Sequence, residues 1–231
     1  MITKIIILSF CGGLFCLDRI FIQAMISRPI IIAPFIGLLL NNPYAGLIIG
    51  SIVELFWMDL IPVGTYIPPN DSLVAVIATS IAILAGQKLG VTTPQLIAFS
   101  ILITIPFGVL AKYMEIAIIQ SNDALSDQAM EDAKTVNIRG IEQKNYWGLI
   151  KVFLSIVIYL LIIQSILIPF VIWVFPKLIP PVYSALSLTY YFLPLLGIAV
   201  AINTIKLRGA IPVFCALFLI MAVVLDYFHV L

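Results

Sequence analysis

The sequence predicts an all-α fold, a polytopic membrane helical bundle with broken or re-entrant helices, and three observations carry that prediction. Hydrophobic residues make up 63% of the 231 and charged residues 10%, with a mean hydropathy of +1.20, a balance that ordinary soluble domains do not show. Apolar runs recur near 4–26, 29–61, 73–119, 149–175, 185–206 and 210–231. Proline, glycine and asparagine break several of these runs at points where an unbroken helix would be the simplest way across a bilayer. Because one crossing takes about 20 residues, some runs hold more than one segment, and the chain holds roughly six to eight spans.

In the first run Lys4 precedes the apolar stretch Ile5 to Leu17, as in a signal peptide. However, Asp18 and Arg19 follow at once, there is no small-residue cleavage site, and apolar sequence resumes, so the run is expected to be a mature helix. Adjacent helical residues point about 100 degrees apart, so Asp18 and Arg19 need not pair with each other. Arg28, directly before Pro29, reads as an interfacial anchor at a helix boundary. Asn41, Asn42 and Pro43 interrupt the second run and leave Tyr44 to Ile61 just long enough to span. Gly46 and Gly50 form a GxxxG pair, which favours close helix packing. Pro62, Gly64, Pro68 and Pro69 then break the chain, and Leu73 to Ala85 beyond them is too short to cross. Short and broken segments in series are the pattern of discontinuous transporter helices.

One segment differs from all of these. Ser121 to Trp147 is polar, carries charges of both signs and must lie in water. Leu125, Ala129 and Ala133 recur every four residues among Asp123, Asp127, Glu131 and Asp132, which suits an amphipathic helix on a surface or against a partner. Lys112, Lys134, Arg139, Lys144 and Lys151 lie in or beside it, so the positive-inside bias places it in the cytoplasm. The chain is therefore expected to be a single membrane domain over 1–231, with a first half at 1–119, a cytoplasmic amphipathic loop at 120–148 and a second half at 149–231. No sequence repeat relates the halves, and an inverted repeat beneath divergent sequence stays open.

The chemistry concentrates where carboxylates enter apolar sequence. A charged side chain at the bilayer centre costs at least about 2.5 kcal/mol on the insertion scale, so Glu54 is expected to face a cavity or a partner. The competing reading is a protonated or helix-bonded packing device. Asp59 lies nearer the break and suits the interface beside Trp57. Asn70, Asp71 and Ser72 suit a helix N-cap before Leu73, a role compatible with binding a hydroxyl-bearing or anionic ligand. Cys11, Cys16 and Cys215 lack pairing or metal spacing and read as small apolar packing residues. The formal charge of +1 argues against a nucleic-acid partner. The polar parts hold no nucleophile–base pair, metal cluster or phosphate loop, so no catalytic residue, metal or cofactor is predicted and a soluble enzyme is excluded.

The segments SRPIIIAPFIGLLL (27–40), GLIIGSIVELFWM (46–58), GTYIPPNDSLVAVIAT (64–79) and AVAINTIKLRGAIPVF (199–214) resemble, in order and spacing, the IIC membrane component of the mannose class of bacterial phosphotransferase systems. The resemblance runs from about Leu17 to Phe218 and is strongest between Arg28 and Thr79. It implies a sugar translocation subunit of the bacterial cytoplasmic membrane, one that pairs with a IID membrane partner in an oligomer. It also implies that a hexose is handed to IIA and IIB proteins, which carry the phosphoryl group. His229, alone in an apolar context, is not expected to be that carrier. Position by position, the family's membrane glutamate falls on Glu54, its turn proline on Pro69 and its second-half asparagine on Asn203; a helix–helix hydrogen bond is the competing role for Asn203. With Asn70, Asp71, Trp57 and Tyr66 these form the candidate sugar site, since carboxylates and amides bond hydroxyls and aromatic rings cover an apolar sugar face. The chain departs from the family pattern in two places. Asn70 stands where an aspartate is usual, leaving Asp71 to supply the acid, and Leu231 comes sooner than the end of many members, so a final membrane segment either shortened or absent is expected. The resemblance implies alternating access; a transporter-like sensor or scaffold without net transport, and a proton-driven transporter, are the alternatives.

Overall fold

The computed structural model of this chain describes residues 1–60, 64–204 and 210–228. His229, the 205–209 part of the second-half motif and Pro62 lie outside the described residues. The elements are α1 (Ile2–Leu17), α2 (Pro29–Leu39), α3 (Pro43–Phe56), α4 (Asp71–Leu89), α5 (Pro94–Lys134), α6 (Ile138–Val174), α7 (Pro180–Thr204) and α8 (Ala210–Tyr227), with a 3₁₀ turn (Phe175–Lys177) after α6. Among the described residues α4, α5, α6 with its turn, and α7 are long and apolar enough to cross a membrane.

Local chemistry sets most of the boundaries. Asn42, Asn70, Thr93 and Asn137 each cap the helix that follows, accepting from the backbone N–H of Ala45, Leu73, Leu96 and Gly140 at 3.2, 2.8, 3.2 and 3.2 Å, which satisfies a donor the helix itself cannot. Pro29, Pro43 and Pro94 occupy first-turn positions, where a missing N–H costs nothing. Gly90, at φ +100, ends α4.

The break expected at Asn41, Asn42 and Pro43 is a tight turn, with Asn41 at φ +61, and it folds α2 and α3 into an antiparallel hairpin. At 11 and 14 residues the two helices are only about 17 and 21 Å long, short of a hydrocarbon core of about 30 Å. Gly46 and Gly50 make the pairing possible. A Cβ on Gly46 would sit on the Ala33 carbonyl oxygen, and one on Gly50 would sit on that of Pro29 and 3.0 Å from the Ala33 Cβ. The helices thus touch backbone to backbone, as the GxxxG spacing predicts.

Two boundaries correct the sequence reading. α3 stops at Phe56 rather than Ile61: its end tightens into turns, with Leu60 N–H donating to the Trp57 carbonyl at 3.1 Å, and Pro62 follows in the sequence, where a helix cannot easily continue. The segment read as too short, Leu73 to Ala85, is part of the 19-residue α4. The Asn70 cap adds residues at its start, and Gly86, Gln87 and Lys88 stay helical up to Gly90. α4 is the centre of the bundle, buried from Ser72 to Gly86, with α1, α2, α3, α5 and α6 packed around it.

α5 and α6, at 41 and 37 residues, continue past the core as a helical pair. The polar stretch read as a separate loop is the far end of this pair, closed by a turn at 135–137. Its inward stripe is Asn122, Leu125, Ala129 and Asp132, while Ala133 is exposed; Leu125 and Ala129 face Ile141, Lys144 and Gly148 of α6. α7 packs on α3 and α5, and α8 on α7.

Candidate functional site

The chain order places four helix ends together. α1 and α4 run antiparallel, with Lys4 bonded to Gln87 at one end and Arg19 to Asp71 at the other. The open end of the α2–α3 hairpin lies at the same end as Arg19. There the end of α1, the start of α2, the end of α3 and the start of α4 enclose a cleft of about 450 Å³, within the range of about 300–1,000 Å³ typical of small-molecule sites. Ile20, next to the cleft residue Arg19, also lines a depression with Asn122 and Leu125, so the cleft opens at the end of the bundle that carries the polar α5–α6 pair.

Asp18 organises one wall. One carboxylate oxygen accepts from Ala24 N–H at 2.8 Å, and the other accepts from Ser27 N–H at 3.2 Å and from the Ser27 hydroxyl at 3.4 Å. This clasp closes the loop between α1 and α2 and turns Gln23, Met25 and Arg28 into the cleft. Gln23 and Met25 adopt φ of +56 and +62, the left-handed region that costs a side chain roughly 1–2 kcal/mol. Burial of this loop carboxyl works to raise its pKa, but the N–H donors of Ala24, Ser27 and Ile26 and the Ser27 hydroxyl outweigh it and hold the group below the ordinary carboxylate value.

Two ion pairs form the floor. Arg28, the residue before α2, donates to Glu54 at 2.6 Å, and the other Glu54 oxygen accepts from Ile30 N–H at 3.4 Å. A carboxylate at the α2 N-terminus also meets the positive end of the helix dipole. Arg19 donates to Asp71 in the first turn of α4 at 3.2 Å. With Asp18 occupied by N–H groups and each arginine matched to an acid, the cleft presents paired charges. Such a surface both donates and accepts strong hydrogen bonds, and with three acids to two bases in its lining it has no positive excess to hold an anion.

Of the residues expected from sequence, Glu54, Trp57, Pro69 and Asp71 line the cleft. Asn70 lies behind it, 1% exposed, capping α4 and donating to Glu115. Tyr66 and Asn203 are not brought to it. Tyr66 lies under the Lys112 ammonium, 5.0 Å from the ring centroid, and Asn203 is exposed in the last turn of α7. Asp59 is exposed. Sequence reasoning did not bring Asp18, Arg19 and Arg28 to this cleft, which all three line. The signal that could have found them is charge balance: an acid in apolar sequence needs a base, and Arg19 and Arg28 are the bases of the first membrane half that sit beside breaks in its apolar runs.

Comparison with known proteins gives a consistent set of relatives. A family model described as the PTS system sorbose-specific IIC component matches residues 2–230. The putative N-acetylgalactosamine permease IIC component 2 of Escherichia coli is 31% identical over 112 residues, covering 47% of this chain and 82% of that protein. The fructose permease IIC component of Bacillus subtilis is 24% identical over 220 residues, covering 95% of this chain and 78% of that protein. A solved structure described only as a membrane protein superposes with a TM-score of 0.71 at 21% identity, over 96% of this chain and 85% of that one. A cryo-EM structure of the mannose transporter ManYZ in complex with a microcin does so with a TM-score of 0.62 at 21% identity, over the same shares. At such identities these structures show a shared fold.

Proposed function

The chain belongs to the family of phosphotransferase-system sorbose-specific IIC components, and from that premise we propose that the cleft at the Arg28–Glu54 pair is where it takes a sugar for translocation. The protein is a multi-pass membrane protein and a sugar permease component of a phosphotransferase system of the mannose and sorbose family. The observation that carries the placement of the site is the convergence of two ion pairs from four helix ends in one cleft.

The paired charges suit a neutral, hydroxyl-rich guest such as a hexose. Glu54 and Asp71 accept from hydroxyls, Arg28 and Arg19 donate to them, and Trp57 offers a ring to an apolar sugar face. A hydroxyl that enters between Arg28 and Glu54 exchanges a charged pair for two charged hydrogen bonds, each worth about 1.5–3 kcal/mol. Positive residues flank the polar α5–α6 end, which by charge bias lies in the cytoplasm; the cleft opening beside it is then the inward-facing form of a site served in turn from each side. The α2–α3 hairpin, locked as one body by its glycine contacts, is the element suited to move against the α1–α4–α6 scaffold. The bacterial cytoplasmic membrane, a IID membrane partner within an oligomer, and IIA and IIB proteins that phosphorylate the released sugar complete the reading.

The test is uptake of radiolabelled fructose, N-acetylgalactosamine and mannose into vesicles that hold this chain, its candidate IID partner and the soluble phosphotransfer proteins. Accumulation that needs phosphotransfer, and that Glu54→Gln reduces by between about tenfold and a hundredfold, supports the site. Wild-type uptake that survives the substitution removes it, and sugar binding without any uptake turns the reading toward a sensor.

A further inference from the structure

Gly108, Lys112 and Glu115 lie at i, i+4 and i+7 on α5, one face of the helix, and all three hold the chain that enters α4. Asn70 N–H donates to the Gly108 carbonyl at 3.0 Å, Lys112 sits over Tyr66, and Asn70 Nδ2 donates to Glu115 Oε1 at 2.5 Å. The Asn70 side chain is therefore used at both ends, since its Oδ1 accepts from Leu73 N–H at 2.8 Å. Asp71, the next residue, lines the cleft and pairs with Arg19, whereas Glu115 does not line it.

We propose that Glu115 is a positioning residue for the cleft: acting through Asn70 it fixes the rotation of the α4 start, so placing Asp71, and it is the reason an amide occupies position 70. The proposal rests on the reading of this cleft as the sugar site. Its chemistry is asymmetric. A carboxylate at position 70 would cap α4 as well as an amide does. It would have no N–H for Glu115, however, and would set two acids against each other where position 70 is buried, which disfavours their ionised forms. Reversing the pair, with an acid at 70 and an amide at 115, restores one donor facing one acceptor.

The reversal is the experiment. In the vesicle system above, Asn70→Asp is expected to raise the half-saturation concentration of whichever of the three sugars the wild type accumulates by about tenfold, the worth of one charged hydrogen bond, with a smaller change in maximal rate. Glu115→Gln keeps an acceptor for Asn70 and is expected to stay within about threefold. The double variant is expected to return to within about threefold of wild type, although it carries both substitutions. A second readout needs no sugar. The rate at which a maleimide labels Ser72→Cys, at a position 2% exposed in the wild type and beside Asp71, should rise with Asn70→Asp and fall again in the double variant. Single effects that multiply without rescue, or an Asn70→Asp variant that labels and transports as wild type, would overturn the proposal. If the wild type neither accumulates nor binds any of the three sugars, the sugar reading of the cleft fails while the labelling rates still decide whether Glu115 positions α4.

Discussion

The cleft and the polar end of the α5–α6 pair each carry two ion pairs, but the chain makes them in different ways. In the cleft Arg28 meets Glu54 across 26 residues and Arg19 meets Asp71 across 52. At the polar end Glu131 pairs with Lys134 three residues on, and Asp132 pairs with Lys144 across the closing turn. The contrast in burial is between the Glu54 side chain, 12% exposed, and Glu131, 72% exposed; Asp132 and Lys144, at 18% and 21%, are enclosed much as the cleft pairs are, so only the Glu131–Lys134 pair stands in water. A pair in water contributes little because the solvent already solvates both ions. An acid drawn into an apolar bundle is costly until a base meets it, so the cleft pairs exist because of where they are, and the bundle must hold four helix ends together to make them.

That difference is open to attack, most forcefully at Arg28. Arg28→Ala leaves Glu54 without its base and removes a donor from the cleft, so uptake should fall by about tenfold to a hundredfold, as for Glu54→Gln. The two losses should not multiply: because the residues act as one unit, the double variant is expected to transport no worse than the poorer single. Multiplying effects would show that Arg28 and Glu54 serve the cleft independently.

A smaller effect is expected where the hairpin is built. Gly50→Val sets two methyl groups against the Pro29 carbonyl and the Ala33 side chain, so α2 and α3 must separate at the end that carries Arg28 and Glu54. Overpacking of this kind costs about 1–3 kcal/mol, readable as a lower midpoint of thermal unfolding in detergent. The equivalent change at Gly148, whose Cβ position has only Asn122 within reach, at 3.8 Å, should leave the midpoint nearly unchanged. Equal shifts at the two glycines would mean that the close approach of α2 and α3 contributes nothing special.

The same contrast explains what could be read from sequence. Glu54 stood out because a carboxylate in apolar sequence is costly, Asp71 because it lies in the polar turn that starts a helix, and Gly46 and Gly50 because their spacing is a packing device that needs no distant partner. The cap read at Asn70 to Ser72 is local too, and Asn70 forms it; the interruption at Asn41 to Pro43 proved to include a further cap, at Asn42. What escaped were residues whose meaning lies in a partner far along the chain. Arg28 before a proline has a sufficient local explanation as an anchor, and Asp18 as half of an adjacent charged pair. Glu115 lies 45 residues from Asn70 at the edge of an apolar run and draws no attention. Asn70 itself, read as a departure from an acidic turn, fits its place once Glu115 is beside it. Asn203 was carried over by resemblance alone, and its position in the last turn of α7 shows that a motif match does not bring a residue to the cleft.

The smallest effect belongs to the most local pair. Glu131→Ala removes a carboxylate that is 72% exposed and whose partner Lys134 is 70% exposed, so the folded state should change by no more than about 0.5 kcal/mol. The effect should shrink further as salt rises, because exposed charges are screened within about 10 Å at 0.1 M ionic strength. Asn137→Ala, three residues beyond Lys134, should cost more, about 1 kcal/mol, because it leaves the Gly140 N–H at the α6 start without its side-chain acceptor. Thermal midpoints of the two variants at low and high salt separate the terms: a salt-sensitive, near-zero shift for Glu131→Ala beside a salt-insensitive loss for Asn137→Ala is expected. If Glu131→Ala instead destabilised as much as Gly50→Val, the polar end would have to be held by its ions as the cleft is.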